Sequence, residues 1–563
     1  MKHRIIAFSL LACSLMNISC NEDRFLKEVP LDFVTVENAY VTYADYQSAL
    51  TGLYNMVRYY EYTNEGMRCM LGTDVAYNAR RNNDRMGNLV NEYKPTTDRI
   101  AYHWESYYKL IKNANTINSR VWEADLSASE KELISAEARF FRAFAYRTLV
   151  YYYGDIPLIK EEVTVPKKDY IRDSREEVLA FMIEDFKYAS EKLPSIADVQ
   201  DGKVSDLVAK HYLAETYISV GDHEKAILYA SEVIDSPETD LMKQRFGSRV
   251  NAVPDGDVYF DLFQRKNQNR KTAGNKEALW VIQMEEDVIG GFTSSVNRDD
   301  QINPIERNHC PALWSLTGPD GESGVMLGSN GRSDFNHGGH GVSFMRTTEW
   351  HLNQNWDGCF DTDMRNSAIN IVRTAVYDNP KSPYYGKSVM DPATMSKNLK
   401  ANAWRWYPWL TKATCPGDHP SALYEDKELK TLKAAAGQTY ADQYMLRLAE
   451  TYLLRAEAYL GNGQKQKAAD DINEVRGRAK ATPVAASKVT LDYILDERAR
   501  ELTLEERRKL TLYRTGKFVE RTRKYNEFQS SQVQDYMALF PIPYSFIEAN
   551  TGAVIEQNPG YTN

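Results

Sequence analysis

Features that identify several common classes of protein are absent from this sequence of 563 residues. It contains no GxSxG, no P-loop GxxxxGK[ST] and no GxGxxG after a predicted strand, the motifs of nucleophile elbows and phosphate-binding loops. It has no CxxC pair and no HExxH, so no zinc site of the usual spacing is indicated. The formal net charge of −9 is spread without long blocks of one sign, which argues against nucleic acid as a partner.

Long apolar runs are also missing, except at the N-terminus. A run from Ile5 to Met16 follows two basic residues and is too short to span a bilayer, so it predicts a secretory signal. Of the two cysteines near its end, Cys20 leaves an apolar run of normal length and Cys13 leaves almost none. We therefore predict lipid attachment at Cys20. Simple secretion is the alternative, because Asn17 occupies a position where the lipid-attachment motif usually has Leu.

Cysteine is scarce in the rest of the chain, where only four remain. They are Cys69, Cys310, Cys359 and Cys415. An exported protein is in a compartment that permits disulfides, and the last three cysteines fall within one region, so we expect one disulfide there. The spacing fixes no pairing.

A pattern that is present occurs twice. Ala214, Tyr217, Gly221 and Ala226 have counterparts the same 242 positions later, at Ala456, Tyr459, Gly463 and Ala468. Small Ala lets two helices approach closely, Tyr fills the adjacent space, and Gly permits a left-handed turn between the helices. This pattern is typical of tetratricopeptide-like helix pairs.

The fold class predicted from these patterns is mainly α, a solenoid of tetratricopeptide-like helix pairs interrupted by a long, irregular insertion with short strands. Helical periodicity is lost from about residue 240 to 440, where Gly and Trp are concentrated. We divide the chain into a signal peptide (1–19), an N-terminal helical region (20–239), an aromatic- and Gly-rich insertion (240–439) and a C-terminal helical region with a closing strap (440–563).

Two helices of the N-terminal region have recognisable ends. One is predicted from Ser135 to Gly154, and its arginines, at positions 139, 142 and 147, are expected to face carboxylates on neighbouring helices. The next is predicted to begin at a cap formed by Asp173 or Ser174 and to continue through Leu193.

Taken together, these segments resemble the starch-utilisation-system D (SusD/RagB) family of surface lipoproteins of Bacteroidetes. The resemblance rests on FLKEVPLD after Cys20, AEARFFRAFAYRTLVYYYGDIPLI, AETYLLRAEAYLG, ILDERARELTLEERRKLTLYRTGKF and LFPIPYSFIEAN. FDTDMRNS (360–367) is similar to the Asp-x-Arg element that follows the variable ligand region of that family. The resemblance implies a non-enzymatic lipoprotein on the outer membrane that binds a glycan, or a peptide in some members, and covers a TonB-dependent transporter.

Helical periodicity is also lost from Met67 to Thr97, a polar segment rich in Asn and Arg. Candidate ligand-binding residues come from this first irregular segment and from the insertion, since sugars need flat apolar rings for stacking and planar polar groups for hydrogen bonds. The candidates are Tyr77, Arg80, Arg81, Asn82, Asn91, Trp314, Trp350 and Trp356. For each Trp the alternative is a place in the core of the insertion, and for the arginines it is a solvated loop or a salt bridge.

Other functions remain open at this point. A binder of peptides and a secreted glycoside hydrolase are both alternatives, although no pair of carboxylates is singled out for hydrolysis. A cytosolic peptide-binding adaptor is opposed by the signal sequence. A metal site among His309, His337, His340 and His351 is disfavoured, calcium at Asp357, Asp361 and Asp363 is disfavoured relative to turns or ion pairs, and we expect no cofactor.

Overall fold

The computed structural model describes residues 39–63, 70–81, 87–284, 286, 303–325, 339–433 and 436–562. The predicted signal peptide and Cys20, as well as Cys69, Asn82 and His337, lie outside these residues. Within the described part of the chain, no helix combines the length and hydrophobicity needed to cross a membrane.

Helices dominate the chain up to residue 234, as predicted. In chain order the elements are α1 (Tyr43–Tyr62), β1 (Ala76–Asn78), α2 (Leu89–Glu92), α3 (Asp98–Arg120), α4 (Ala128–Tyr153), α5 (Arg175–Lys192), α6 (Asp206–Ser219) and α7 (His223–Ile234). From α3 to α7 each helix packs against the next, which is the arrangement of a helical solenoid.

Local sequence signals fix the ends of these helices. Ser174 caps α5 in a capping box, in which its hydroxyl accepts from the Glu177 N–H and the Glu177 carboxylate accepts from the Ser174 N–H. The predicted start of α4 at Ser135 is wrong, because an equivalent box at Ser127 begins the helix one residue later, at Ala128. Gly154 ends α4 with a positive φ of 74°.

The arginines of α4 pair with neighbouring helices, which confirms their predicted role. The Nε atoms of Arg139 and Arg142 lie 2.7 and 2.8 Å from the two oxygens of Asp185 on α5. Arg147 donates to Glu215 on α6 at 2.6 Å. Because both carboxylates are buried, these pairs fix how the helices align.

The insertion is made of short elements and loops. They are α8 (Val258–Leu262), α9 (Arg270–Ala273), β2 (Ala278–Ile282), α10 (Ile305–His309), β3 (Met345–Thr347), α11 (Glu349–Leu352), β4 (Ile371–Val372), α12 (Lys397–Ala401), β5 (Trp409–Leu410), β6 (Tyr424–Asp426) and β7 (Thr431–Leu432). Part of the insertion has a small core of its own, in which Trp406 and Trp409 pack edge to face.

After the insertion the helices resume. The elements are β8 (Gln443–Arg447), α13 (Leu448–Gly461), α14 (Lys465–Arg478), α15 (Leu491–Leu502), α16 (Arg508–Arg514), α17 (Phe518–Tyr525) and α18 (Tyr544–Ala549). The described strands form antiparallel pairs: β1 with β3, β2 with β8, β4 with β5 and β6 with β7.

The two halves of the repeat lie side by side. Helix α7 packs directly on α13, with Ala214, Ala230 and Leu454 buried between the pairs. The turns between the helices contain Gly221 and Gly463, whose φ angles are +80° and +73°. The second pair thus continues the stack that the first begins, although about 200 residues separate them in sequence.

Buried charges hold the insertion against the C-terminal helices. Within the Asp-x-Arg element, Arg365 pairs with Asp363 at 2.6 Å. The same guanidinium reaches two carboxylates of α15, Glu497 at 2.8 Å and Glu501 at 2.9 Å. All four side chains are fully buried, so this element joins the two regions and is remote from solvent.

The expected disulfide in the insertion is absent. Cys310, Cys359 and Cys415 are buried, and none of the three forms a disulfide. Burial raises the pKa of the Cys415 thiol to about 12, so it stays protonated in the folded protein.

Candidate ligand-binding site

The antiparallel pair of β1 and β3 places residues 76–78 of the first irregular segment beside the insertion. Tyr77 is opposite Arg346 in this pair. After β1 the chain turns sharply: the Arg81 N–H donates to the carbonyl of Asn78, and Arg81 has a φ of 53°. This turn directs Arg80 toward the loop that precedes β3.

Arg80 is the centre of a group of aromatic side chains. Its guanidinium carbon lies 4.5 Å from the ring centroid of Phe344 and 4.9 Å from that of Trp404. Its Nη2 donates to the carbonyl of Val342 at 2.7 Å, which fixes its orientation. Arg405 contacts the ring of Trp404 at 4.5 Å, so Trp404 contacts two guanidinium groups.

Trp314 belongs to the same surface through backbone contacts. Its Nε1 donates to the carbonyl of Gly341 at 2.9 Å, next to the Val342 carbonyl that binds Arg80. Arg405 donates to the carbonyl of Ser315 at 3.2 Å, which joins this end of the surface to Trp404. We call Arg80, Trp314, Phe344, Trp404 and Arg405 the arginine–aromatic cluster. All five side chains are partly exposed.

Arg81 extends the cluster toward the C-terminal region. It is exposed, donates to the hydroxyl of Tyr77 at 3.2 Å, and lies 5.6 Å from the ring of Phe528. Phe528 is itself partly exposed. Three segments distant in sequence therefore contribute to one surface.

Three of the predicted aromatic residues are core residues. Tyr77, Trp350 and Trp356 are 0%, 7% and 1% exposed. Trp350 stacks on Tyr525 at 4.2 Å, and burial raises the pKa of Tyr77. A ring that is covered on both faces cannot stack on a sugar, so we remove these three from the candidate site. Tyr77 supports the surface from the side, because it accepts a hydrogen bond from Arg81 and its ring contacts that of Phe528 at 5.6 Å.

Asn91 is exposed at the end of α2 but makes no hydrogen bond to the cluster among the described residues. Trp314, Arg80 and Arg81 are thus the predicted residues that the fold brings together. Trp404, Arg405 and Phe344 were missed. In the segment WRWYPWL (404–410), Trp406 and Trp409 are buried. Trp404 precedes them and remains partly exposed.

The cluster has the chemistry that carbohydrate recognition requires. Aromatic faces accept the C–H faces of pyranose rings, and guanidinium groups donate planar pairs of hydrogen bonds to hydroxyls. Burial lowers the pKa of Arg405 from its usual value, but the group remains a cation. Among the described residues, no group of three or more His, Cys, Asp or Glu side chains is arranged to hold a metal ion.

Two family profiles match the chain in the expected order. A profile described as starch-binding and associating with the outer membrane matches residues 31–217, and the SusD family profile matches residues 424–561. Together the two matches cover more than half of the chain, and they flank most of the insertion.

Individual proteins are similar to this chain as well. The SusD-like protein P2 of Formosa agariphila is 29% identical over 54% of this chain and 57% of its own length. The SusD-like protein P25 of the same organism is 22% identical over 97% of this chain and 96% of its own length. Among solved structures, a laminarin binding SusD-like protein superposes with a TM-score of 0.64 at 20% identity, covering 93% of this chain and 100% of that one.

The matched residues include the helices that build the scaffold, and the superposition extends over nearly the whole described fold. The chain belongs to the SusD family.

Proposed function

We propose that this protein is a lipoprotein of the outer-membrane surface that binds oligosaccharide or polysaccharide and passes it to a TonB-dependent transporter. The observation that carries the proposal is the arginine–aromatic cluster, in which rings and guanidinium groups from both irregular segments meet at a partly exposed surface. The starch-binding description of the family profile and the laminarin-binding relative support a glycan as the ligand.

The role of the protein is capture without turnover. The cluster offers stacking faces and hydrogen-bond donors, and its five members include no carboxylate to act as an acid or a nucleophile. Attachment to lipid at Cys20 would keep the binding surface at the membrane, beside the transporter.

Affinity gel electrophoresis tests the ligand class directly. The mature chain should migrate more slowly in gels that contain starch or laminarin than in gels without polysaccharide, and it should release no new reducing ends. Turnover of either polymer would contradict the proposal. A response in calorimetry to peptides and not to glycans would assign the same surface to peptide capture.

Matched variants locate the site within the protein. Trp314→Ala should weaken retardation while thermal unfolding stays unchanged, because the ring is partly exposed. Trp356→Ala should instead lower the unfolding temperature, because the ring is buried. If Trp314→Ala and Trp404→Ala both retain full affinity, the ligand binds elsewhere.

The anchor and the transporter need separate tests. Cys20→Ala should release the protein from the membrane fraction, and continued retention would contradict lipid attachment there. The native lipoprotein, extracted from membranes in mild detergent, should copurify with a TonB-dependent transporter. Failure to recover a transporter would contradict the proposed assembly.

A further inference from the structure

Three members of the arginine–aromatic cluster depend on the loop that precedes β3. The indole Nε1 of Trp314 donates to the carbonyl of Gly341 at 2.9 Å. The next carbonyl, that of Val342, accepts from Nη2 of Arg80 at 2.7 Å. Phe344 belongs to the same loop, and its ring centroid lies 4.5 Å from the guanidinium carbon of Arg80. The position of this loop therefore sets the geometry of the surface.

The loop, residues 339–344, lies against α10. The N–H of Val342 donates to the carbonyl of Arg307 at 2.7 Å. Two residues later, the N–H of Phe344 donates to the carbonyl of Asn308 at 2.8 Å. These backbone hydrogen bonds fix the second half of the loop, whereas the first half is held through a side chain of α10.

That side chain is Glu306. Its Oε1 accepts from the N–H of His340 at 3.0 Å. A methyl group on Gly339 would overlap the same carboxylate, so the chain passes this close only because residue 339 has no side chain. One glycine of the segment NHGGHG (336–341) is thus required by the contact with Glu306.

The other carboxylate oxygen of Glu306 binds the segment between β5 and β6. Oε2 accepts from Oγ1 of Thr414 at 2.7 Å. It also lies 2.8 Å from Nε2 of His419, which is the donor because an ionised carboxylate only accepts. Glu306 therefore connects the loop to a third part of the insertion.

Glu306 is ionised although it is buried. Its side chain is 1% exposed and that of His419 is 3% exposed. Burial by itself would raise the pKa of Glu306, but His419 and the hydrogen bonds from Thr414 and from the His340 N–H hold the pKa below its ordinary value. A buried carboxylate with three donors keeps one orientation, because turning it would leave the charge without partners.

We propose that Glu306 is a positioning residue of the binding surface. It fixes the loop 339–344 so that two carbonyl groups of the loop hold Trp314 and Arg80 in the orientation that binds the glycan. Glu306 itself touches no ligand, because its side chain is buried. The inference rests on the proposed function, since it requires that the glycan bind at the arginine–aromatic cluster.

A double-mutant cycle tests whether Glu306 acts through the cluster. In calorimetry, Glu306→Ala should weaken binding of laminarin or starch, whichever retards the wild-type chain more, by at least about fivefold. In a Trp314→Ala background the same change should cost clearly less, because the ring that the loop orients is gone. Equal losses in the two backgrounds, or unchanged affinity of Glu306→Ala, would overturn the proposal.

Two further variants separate positioning from stability. Glu306→Gln keeps an oxygen that accepts from the His340 N–H and should retain most of the affinity that Glu306→Ala loses. Asp185→Asn is the matched control, because Asp185 is also a buried carboxylate but pairs with Arg139 and Arg142 of α4. It should lower the unfolding temperature and leave glycan affinity unchanged. A loss of affinity in Asp185→Asn as large as that in Glu306→Ala would assign the effect to stability and overturn the proposal.

Hydrogen exchange tests the loop without a ligand. Gly339→Ala displaces the Glu306 carboxylate and should accelerate exchange of the amides of residues 340–344 by at least about tenfold. Gly477→Ala is the matched control, because a methyl group there, on α14, meets no neighbouring atom. Unchanged exchange in Gly339→Ala would overturn this inference while the proposed function stands. Failure of the wild-type chain to bind either polysaccharide would instead contradict the proposed function and, with it, this role of Glu306.

Discussion

Arginine has different surroundings in two regions of this protein. At the joint between insertion and scaffold, Arg365 is fully buried and bound by three carboxylates. In the arginine–aromatic cluster, Arg405 is partly exposed and contacts a ring and a carbonyl oxygen. Charge at the joint is therefore neutralised by the protein itself, whereas the donors of the cluster face a surface that a ligand can reach.

The comparison explains how an irregular region can present a defined surface. Arg447 adds a second buried centre to the joint, bonded to Glu501 at 2.9 Å and to Glu505 at 2.6 Å. Strand β8, to which Arg447 belongs, also pairs with β2. These buried ion pairs and the β2–β8 pair fix the insertion against the C-terminal helices. The loops that contribute to the arginine–aromatic cluster therefore extend from a fixed part of the fold.

The largest effect should follow from Arg365→Met. Removing the guanidinium leaves buried carboxylates uncompensated and should cost about 3 to 5 kcal/mol of unfolding free energy, measured by urea denaturation. Arg523→Met is the matched control, because Arg523 and its partner Asp535 are 48% and 90% exposed, and it should cost less than about 1 kcal/mol. Equal effects of the two changes would show that the joint does not depend on this pair.

Acid should weaken the same joint. Burial by itself would raise the pKa of Glu501, but Arg478, Arg447 and Arg365 hold it well below the ordinary value of 4.5, and Glu497 behaves in the same way. The unfolded chain then binds more protons as the pH falls, so stability present above about pH 4.5 is lost progressively below it. Urea midpoints measured from pH 7 to pH 3 should fall, and a constant midpoint would contradict this assignment.

A smaller effect, on binding and not on folding, is expected from Trp404→Ala. The change removes the ring that contacts both Arg80 and Arg405 and should weaken glycan binding by about 1 to 3 kcal/mol in calorimetry. Trp122→Ala is the control, since Trp122 is 49% exposed but follows α3, away from the cluster. Similar losses in both variants would place the ligand outside the cluster.

The smallest effects should come from the turns of the scaffold. Gly221→Ala and Gly463→Ala meet no neighbouring atoms, so only the left-handed backbone opposes them, at about 1 kcal/mol each. Gly52→Ala also meets no atoms but lies within α1, where Ala is favoured, and should raise stability by about 0.5 to 1 kcal/mol. In thermal unfolding, the midpoint temperature should fall for Gly221→Ala and Gly463→Ala and rise for Gly52→Ala.

Most of the scaffold could be predicted because its signals are local. Periodicity, the Ser174 cap and the two glycine turns each depend on a few neighbouring residues. The match between repeats, 242 positions apart, also predicted one stack, and α7 packs on α13 as expected. The predicted start of α4 at Ser135 is wrong because the capping box of Ser127 and Glu130 begins the helix upstream, at Ala128.

The insertion resisted prediction because burial there depends on contacts between distant residues. Nothing near Trp356 in sequence distinguishes it from Trp314, yet the first is buried and the second is partly exposed. Arg80 meets Trp404 across more than 300 residues. The residue types in these segments predicted the chemistry of the surface. Which residues form the surface could be determined only from the fold.

The closing strap, the C-terminal segment 539–561, has a consequence for the order of folding. Phe540 stacks on Tyr152 of α4 at 4.5 Å, and Asn558 donates to the carbonyls of Tyr153 and Phe540. The aromatic C-terminal end of α4, the longest of the described helices, therefore stays uncovered until almost the last residue has been made. Such non-local closure is slow. A chain that is exported before it folds would thus remain open during translocation and close once its C-terminus has emerged.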